Sequence, residues 1–180
     1  MRLVRSWPAV IPAGRAYVQD DIDKLVMEGH DYRILAGLDD DIVLLEWDIA
    51  VGKCELERFI SRCETDPTQV RVAPYLIYQA FSGRSYPFHP LWAHRRYEGT
   101  PETGSTRTIT EHDKTCHLFG FGLVYLPRVY VRQFLDFWAG HFDDAAFSGW
   151  HYRNAPDPEV PIDWDVPTVH LHYPLPGDTR

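Results

Sequence analysis

Asp41-Ile42-Val43-Leu44-Leu45-Glu46-Trp47-Asp48 is the stretch on which the reading of this chain turns. Four consecutive apolar residues, two of them β-branched, form the pattern of a strand buried on both faces, as in a parallel sheet. The run ends in two carboxylates. Side chains alternate along a strand, so Glu46 and Asp48 are expected on one side and Trp47 on the other. Acids at the carboxyl end of a buried α/β strand stand where open sheets bind ligands, and oxygen ligands there suit hard cations. The plainer alternative is that the acids mark the strand's exit into solvent. Trp47 and the Val51-Gly52 turn favour the ligand reading.

Working outward, the chain of 180 residues is expected to fold as a single α/β domain over 1–180, long enough for a real core. A net charge of -8 and a pI near 5.5 argue against broad nucleic-acid binding, which needs clustered Lys and Arg. An anion could still be bound locally through an intervening metal. No apolar run approaches the roughly 20 residues that span a bilayer. Arg2 and Arg5 are followed by Pro8 and Pro12, which interrupt any signal-peptide core. The expected location is therefore cytoplasmic. Cys54, Cys63 and Cys116 form no C-x-x-C pair. On a shared helix, Cys54 and Cys63 would face opposite ways at about 100° per residue. Closely paired zinc thiolates are not indicated, and reduced, mostly buried thiols are expected. Lysine occurs only at Lys24, Lys53 and Lys114, a compositional bias toward arginine.

Before the decisive strand, Asp20-Asp21 precedes Ile22, Leu25 and Val26 at helical spacing, with Gly29 as a stop. Tyr32 to Leu35 reads as a short strand. After Gly52, the residues Leu56, Phe59, Ile60 and Cys63 repeat as an amphipathic helix that Asp66-Pro67 ends. Gln69 to Tyr78 reads as a second long strand, bent or bordering at Pro74. A long aromatic loop is expected at about 79–113. In it, Tyr86, Phe88, Trp92 and Tyr97 alternate with His89, His94, Arg95 and Arg96. That mixture suits stacking on a sugar or base and gripping a phosphate, or equally an aromatic-anchored surface loop.

His117 to Leu126 is apolar, and Gly120 and Gly122 mark places where the backbone meets another group closely. Pro127 stands at a first helical position, followed by Val131, Phe134, Leu135 and Trp138 at helix spacing. Asp143-Asp144 opens a further helix leading to Trp150, His151 and Arg153. The last element runs from Thr168 to Tyr173. Strands alternating with helices predict an α/β sandwich, a mainly parallel sheet flanked by helices.

Three further sets of residues carry chemistry. His170-Leu171-His172 puts two imidazoles on one strand face, the spacing of a metal site, and carboxylate plus imidazole suits Mn²⁺ better than Ca²⁺. Asp143 and Asp144 are either a helix cap or a general base held ionised at the helix start. Asp163 and Asp165 flank Trp164 in a proline-bounded loop and are weaker candidates. No phosphate-binding glycine loop of the G-x-x-x-x-G-K-[ST] or G-x-G-x-x-G kind is present, and no G-x-S-x-G elbow or H-E-x-x-H occurs. The His-x-Thr and His-x-Ser motifs of two-histidine phosphoesterases are not matched by His117-Leu118-Phe119 or His170-Leu171-His172.

Taken in order, these pieces resemble a small glycosyltransferase of the GT-A type. That family carries an acidic D-x-D-like motif at the end of an apolar strand, and Glu46-Trp47-Asp48 is similar to it, with Glu in the first place. The helix and strand that follow the family's motif are matched by Gly52 to Glu64 and Gln69 to Tyr78. The glycine-containing strand and proline-started helix are matched by His117 to Ala139. The resemblance spans roughly Asp41 to Tyr173. It implies a GT-A-like fold with an abbreviated nucleotide-binding half, because only about 45 residues precede Glu46. It also implies a divalent metal ion, Mn²⁺ or Mg²⁺, on Asp48 with His172 or His170. A nucleotide-sugar donor would sit at Glu46, Trp47 and Asp48, and Asp144 or Asp143 would be the base for a hydroxyl-bearing acceptor. Trp47, Trp92 and Trp150 would face sugar or acceptor. The alternative is a non-catalytic carbohydrate- or protein-binding module on a degenerate glycosyltransferase scaffold. A metal-dependent hydrolase on the same ligands is a third reading.

Overall fold

The computed structural model describes residues 1–11, 13, 15–79, 89–99 and 104–171. Its centre is the stretch that opened the sequence reading. Strands β1 (Arg2–Pro8), β2 (Lys24–Met27) and β3 (Ile42–Leu45) are followed by the short β4 (Ile49–Val51) and helix α1 (Lys53–Thr65). Then come β5 (Arg71–Val72), β6 (Leu76–Gln79), β7 (His89–Trp92), β8 (Arg95–Glu98) and β9 (Ser105–Thr108). The chain continues through β10 (Thr115–Cys116), β11 (Leu123–Leu126), α2 (Arg128–Phe137), α3 (Asp144–Asn154), β12 (Val160–Pro161) and β13 (Thr168–His170).

The main sheet has the order β2-β1-β3-β11-β5. All four residues of β3 are fully buried because both faces of the sheet are covered. Ile42 and Leu44 pack with Val131, Phe134, Phe147 and Trp150 from α2 and α3. Val43 and Leu45 alternate to the other side, where α1 contributes Phe59 and Cys63. Burying a branched aliphatic side chain contributes about 1.5–3 kcal/mol, so β3 anchors both layers. Asp41, just before β3, accepts a hydrogen bond from the Arg128 amide at 2.8 Å and so caps α2 from another element.

The expected mainly parallel, GT-A-like sheet is not what the chain forms. Of the eight strand pairings among the described residues, only β1 with β2 and β1 with β3 are parallel. Strand β11 enters the main sheet antiparallel to both β3 and β5. Among the described residues, four two-stranded antiparallel ribbons stand beside that sheet. The apolar run of β3 reports burial on two faces, and an antiparallel neighbour buried on both faces produces the same run.

Local expectations fared unevenly. The helix after Gly52, the helix after Pro127 and the helix start at Asp143-Asp144 all form, with Pro127 in the cap position just ahead of α2. Residues Lys24 to Met27, expected as helix, are a strand paired in register with Arg5 to Pro8. Edge pairing outweighs a weak helical spacing there. Tyr32–Gly37 is a 3₁₀ turn rather than a strand, and Asp31 caps it through the Arg33 amide at 3.1 Å. The strand expected over Gln69 to Tyr78 breaks at Pro74 into β5 and β6, which belong to different sheets.

Within 79–113 the described residues pair as the β6–β7 and β8–β9 ribbons. Several of the aromatic and basic side chains singled out there are engaged inward. His94 is buried, contacting the Ala73 carbonyl at 2.8 Å and accepting from the Gly120 amide at 3.3 Å, and burial lowers its pKa to about 4. Arg96 pairs with Glu159 at 2.9 Å. Trp92 packs edge-on against Trp164, and Tyr97 stacks on Tyr152. Tyr86 and Phe88 lie outside the described residues.

Candidate functional site

Strands β1 and β3 are parallel, so their carboxyl ends lie at the same edge of the sheet. There β3 stops at Leu45 and the chain turns, with the Ile49 amide donating to the Glu46 carbonyl at 3.1 Å. The strict alternation expected through Asp48 is therefore lost. The turn nonetheless brings the Glu46 and Asp48 carboxylates within each other's electrostatic reach.

A residue not anticipated from sequence holds this turn. Arg5, in β1 and 1% exposed, donates through Nη1 to the carbonyls of Glu46 at 2.5 Å and Ile49 at 3.0 Å. Its Nη2 pairs with Asp20 at 2.5 Å. The guanidinium is thus directed to backbone oxygens and to Asp20. The Glu46 amide donates to the Gly122 carbonyl at 2.9 Å and ties the turn to the run before β11.

Glu46 accepts a hydrogen bond from the Tyr32 hydroxyl at 2.6 Å. Burial pushes its carboxyl up to about 7; the Tyr32 bond opposes that, and the nearby charges of Asp48 and Asp144 add to it. Burial, with Glu46 alongside, also drives the Tyr32 phenol well above its ordinary value. Asp48 is 2% exposed, and its Oδ2 lies 2.9 Å from His170 Nε2. The β4–β13 ladder makes that meeting possible, since His170 is in register with Ile49 and the Leu171 amide donates to the Asp48 carbonyl.

Asp143 and Asp144 separate into different roles. Asp143 is the N-cap of α3, accepting from the Ala146 amide at 2.7 Å. Asp144 turns toward the acid cluster. Burial raises its carboxyl, the Ala145 amide at 2.8 Å works against that, and Asp143 adds to it. Gly120 lies beside this group for a steric reason. A Cβ there would come within 1.9 Å of the Tyr75 hydroxyl and 3.2 Å of Asp144 Oδ2. At Gly122 a Cβ would meet the Tyr75 ring at 2.6 Å. The two glycines expected to mark a close approach are the ones that admit Tyr75, whose ring also meets His170 edge-on at 5.8 Å.

Glu46, Asp48, Asp144 and His170 are therefore brought together. Trp47 is buried beside them and, with Tyr32, lines a cavity of about 300 Å³. Asp163 and Asp165 instead pair with arginines, Asp163 with Arg71 at 2.9 Å and Asp165 with Arg62 at 2.6 Å. Trp150 belongs to the core among Phe134 and Phe147, so it does not offer a face to ligand. His172 lies outside the described residues. Among the described residues no group of three or more His, Cys, Asp or Glu is arranged to hold a metal ion, and no helix is long and apolar enough to cross a membrane. Tyr32, Tyr75, Arg5 and Asp20 were not expected at the site from the sequence. Each reaches the site through strand or loop pairings that no local pattern encodes.

The architecture is thus a mixed α/β sheet with an acid–imidazole–phenol cluster at the carboxyl ends of two parallel strands. No family model and no curated protein matches this chain. Among solved structures it is similar to A197 from STIV, with a TM-score of 0.53 and 14% identity over 96% of this chain and 87% of that one. A likeness at that identity concerns the fold.

Proposed function

We propose that this protein transfers a glycosyl group from a nucleotide-sugar donor to an acceptor hydroxyl, with a divalent cation, Mn²⁺ or Mg²⁺, bound at Asp48 and His170. One observation carries the reading. Glu46, Asp48 and Asp144 converge at the carboxyl ends of β1 and β3, next to a cavity with Trp47, Tyr32, His30 and Arg15 among its walls. Such strand ends are where α/β sheets hold ligands. An aromatic wall with a guanidinium beside it suits a base and a phosphate.

Asp48 and His170, whose carboxylate oxygen and imidazole nitrogen lie 2.9 Å apart, would be the two protein ligands of the ion. When bound, the ion would neutralise the diphosphate leaving group as a Lewis acid. The remaining chemistry belongs to the chain. Asp144, its carboxyl raised by burial, takes the proton of the acceptor hydroxyl. The acceptor oxygen bonds to the anomeric carbon as the bond from that carbon to the diphosphate oxygen breaks. Glu46, hydrogen-bonded to Tyr32 and titrating near neutrality, lets the cluster hold a proton instead of a full set of repelling charges. Arg5 keeps the Glu46–Ile49 turn in place. The free thiols Cys54, Cys63 and Cys116, of which Cys54 is exposed, support a reducing compartment, the cytoplasm.

Calorimetric titration with a panel of nucleoside diphosphates, with and without Mn²⁺, tests this. Binding that needs Mn²⁺ and disappears in Asp48→Asn is the expected outcome. Absence of binding by every diphosphate under both conditions overturns the donor site and favours a non-catalytic binding module.

A further inference from the structure

A second site lies away from the acid cluster. Helix α3 carries Asp144 at its start and, two turns later, His151. That histidine is 1% exposed, and neither ring nitrogen has a hydrogen-bond partner among the described residues. Its ring is enclosed by Tyr130, edge-on at 5.0 Å, by Phe119 at 6.1 Å and by Phe147 at 6.4 Å. Leaving a buried polar atom unsatisfied is costly, and folded proteins do so rarely.

His151 borders a groove of about 490 Å³, whose walls also include Asp66, Thr68, Gln69, Tyr130 and Asp157. A volume of that size is within the range of small-molecule sites. The groove lies toward the amino end of β3, away from the end that Glu46 follows. Gln69 leads into β5, where Arg71 is in register with Tyr125, and Tyr125 with Val43 near the amino end of β3. Glu46 follows the carboxyl end.

The lining selects among ligands. Among the described residues it contains two carboxylates and no Lys or Arg, so phosphates and other anions are repelled. Burial lowers the His151 pKa to about 4, which keeps the ring neutral, with one N–H to donate and one lone pair to accept. An ammonium ligand could serve only the lone pair. A hydroxyl both donates and accepts, and so can serve either nitrogen. The carboxylates are oriented by the protein, Asp66 by Thr68 Oγ1 at 3.1 Å and Asp157 by Gln69 Nε2 at 3.3 Å, and each retains acceptor capacity for ligand hydroxyls. Tyr130 adds a ring surface.

We propose that the His151 groove is a binding site for a neutral carbohydrate, reading sugar hydroxyls through His151, Asp66, Asp157 and Gln69. It does not depend on the reaction proposed for the acid cluster. The occupant is either a free monosaccharide or the end of a glycan chain.

Imidazole ¹⁵N NMR of the full chain tests it, with the His151 signals assigned by their loss in His151→Gln. The probes are methyl glycosides of glucose, galactose, mannose and N-acetylglucosamine, the matching disaccharides, spermidine and inorganic phosphate. We expect a saturable shift of the His151 nitrogens with at least one neutral sugar. Asp157→Asn and Gln69→Ala, both at the rim, should each weaken it at least tenfold. Asp48→Asn should leave it unchanged, so failure of the acid-cluster reading and failure here are separable. Tighter binding of a disaccharide than of its methyl glycoside identifies a glycan end, and equal binding a free sugar. No saturable shift with any neutral sugar overturns the proposal. So does a response to spermidine or phosphate alone, or one that survives both rim substitutions.

Discussion

The chain contains two triplets of the form acid–tryptophan–acid, Glu46-Trp47-Asp48 and Asp163-Trp164-Asp165, and the fold treats them in opposite ways. At the second, arginines reach the carboxylates themselves. Arg62 holds Asp165 down at about 2 through a two-pronged contact at 2.6 and 2.8 Å. Arg62 and Arg71 both contact Asp163, whose carboxyl burial still raises against their pull. The triplet thereby fastens the segment before β13 to α1 and β5. At the first, the nearby arginine, Arg5, binds the backbone carbonyls and Asp20. Glu46 is left with a phenol and its fellow acids and is pushed up to about 7. A carboxylate matched to a guanidinium is a fastener. One that is buried among acids, phenols and imidazoles keeps a proton equilibrium usable near neutral pH.

The two triplets should differ most in kinetics. Asp144→Asn is expected to lower kcat of the proposed glycosyl transfer by about 10²–10⁴-fold, the scale of a lost general base, while Asp165→Asn leaves kcat within twofold of wild type. Steady-state assays of both variants against the same donor decide it, and comparable losses would erase the distinction.

Next in size is Arg5→Ala. Removing the buried guanidinium breaks its pair with the partly exposed Asp20 and two charge-assisted hydrogen bonds to the turn, and should destabilise the fold by about 3–5 kcal/mol. Arg62→Ala, on a side chain 37% exposed, should cost no more than about 1 kcal/mol. Urea unfolding of the two variants gives the contrast directly, and equal costs would mean that Arg5 is only a surface-type pair.

The pH dependence follows the same division, measured in the presence of a chelator. The Glu46 carboxyl is raised in the folded state, from 4.5 to about 7. The folded state therefore holds the proton more tightly, and stability falls as pH rises through that window. The loss should reach about 3 kcal/mol above pH 7, and Glu46→Gln should flatten the slope. Asp165 is displaced downward, from 3.8 to about 2. Its contribution is present above its unfolded value and is lost as pH falls toward 2. Being half exposed, it should account for no more than about 1 kcal/mol, the smallest effect of the set. A stability curve that Glu46→Gln leaves unchanged between pH 4.5 and 7 would refute the assigned environment.

Much of the local structure was legible in the residues. Leu56, Phe59, Ile60 and Cys63 determine an amphipathic helix, and Asp143 determines where α3 begins by capping it. Ile42 to Leu45 mark the buried centre of a sheet. These are one-dimensional signals, since a helix or strand writes its buried stripe into the period of its own sequence. The same signals placed Glu46, Asp48, Asp144 and His170 among the chemically interesting residues, and Gly120 and Gly122 among the close approaches.

Only the tertiary structure decided the rest. It made the sheet mixed rather than mainly parallel, because a strand buried on both faces has the same composition whichever way its neighbour runs. It turned Lys24 to Met27 into an edge strand and ended β3 before Glu46. It set Asp143 to capping and Asp144 to the acid cluster, and it sent Arg5 to a backbone turn while Arg62 and Arg71 went to carboxylates. Periodicity records that a residue is buried, whereas its ionisation is set by which distant cation or phenol lies beside it. That pairing comes from contacts between separate elements, as when the Tyr32 hydroxyl meets Glu46, 14 residues away, and His170 meets Asp48, 122 residues away.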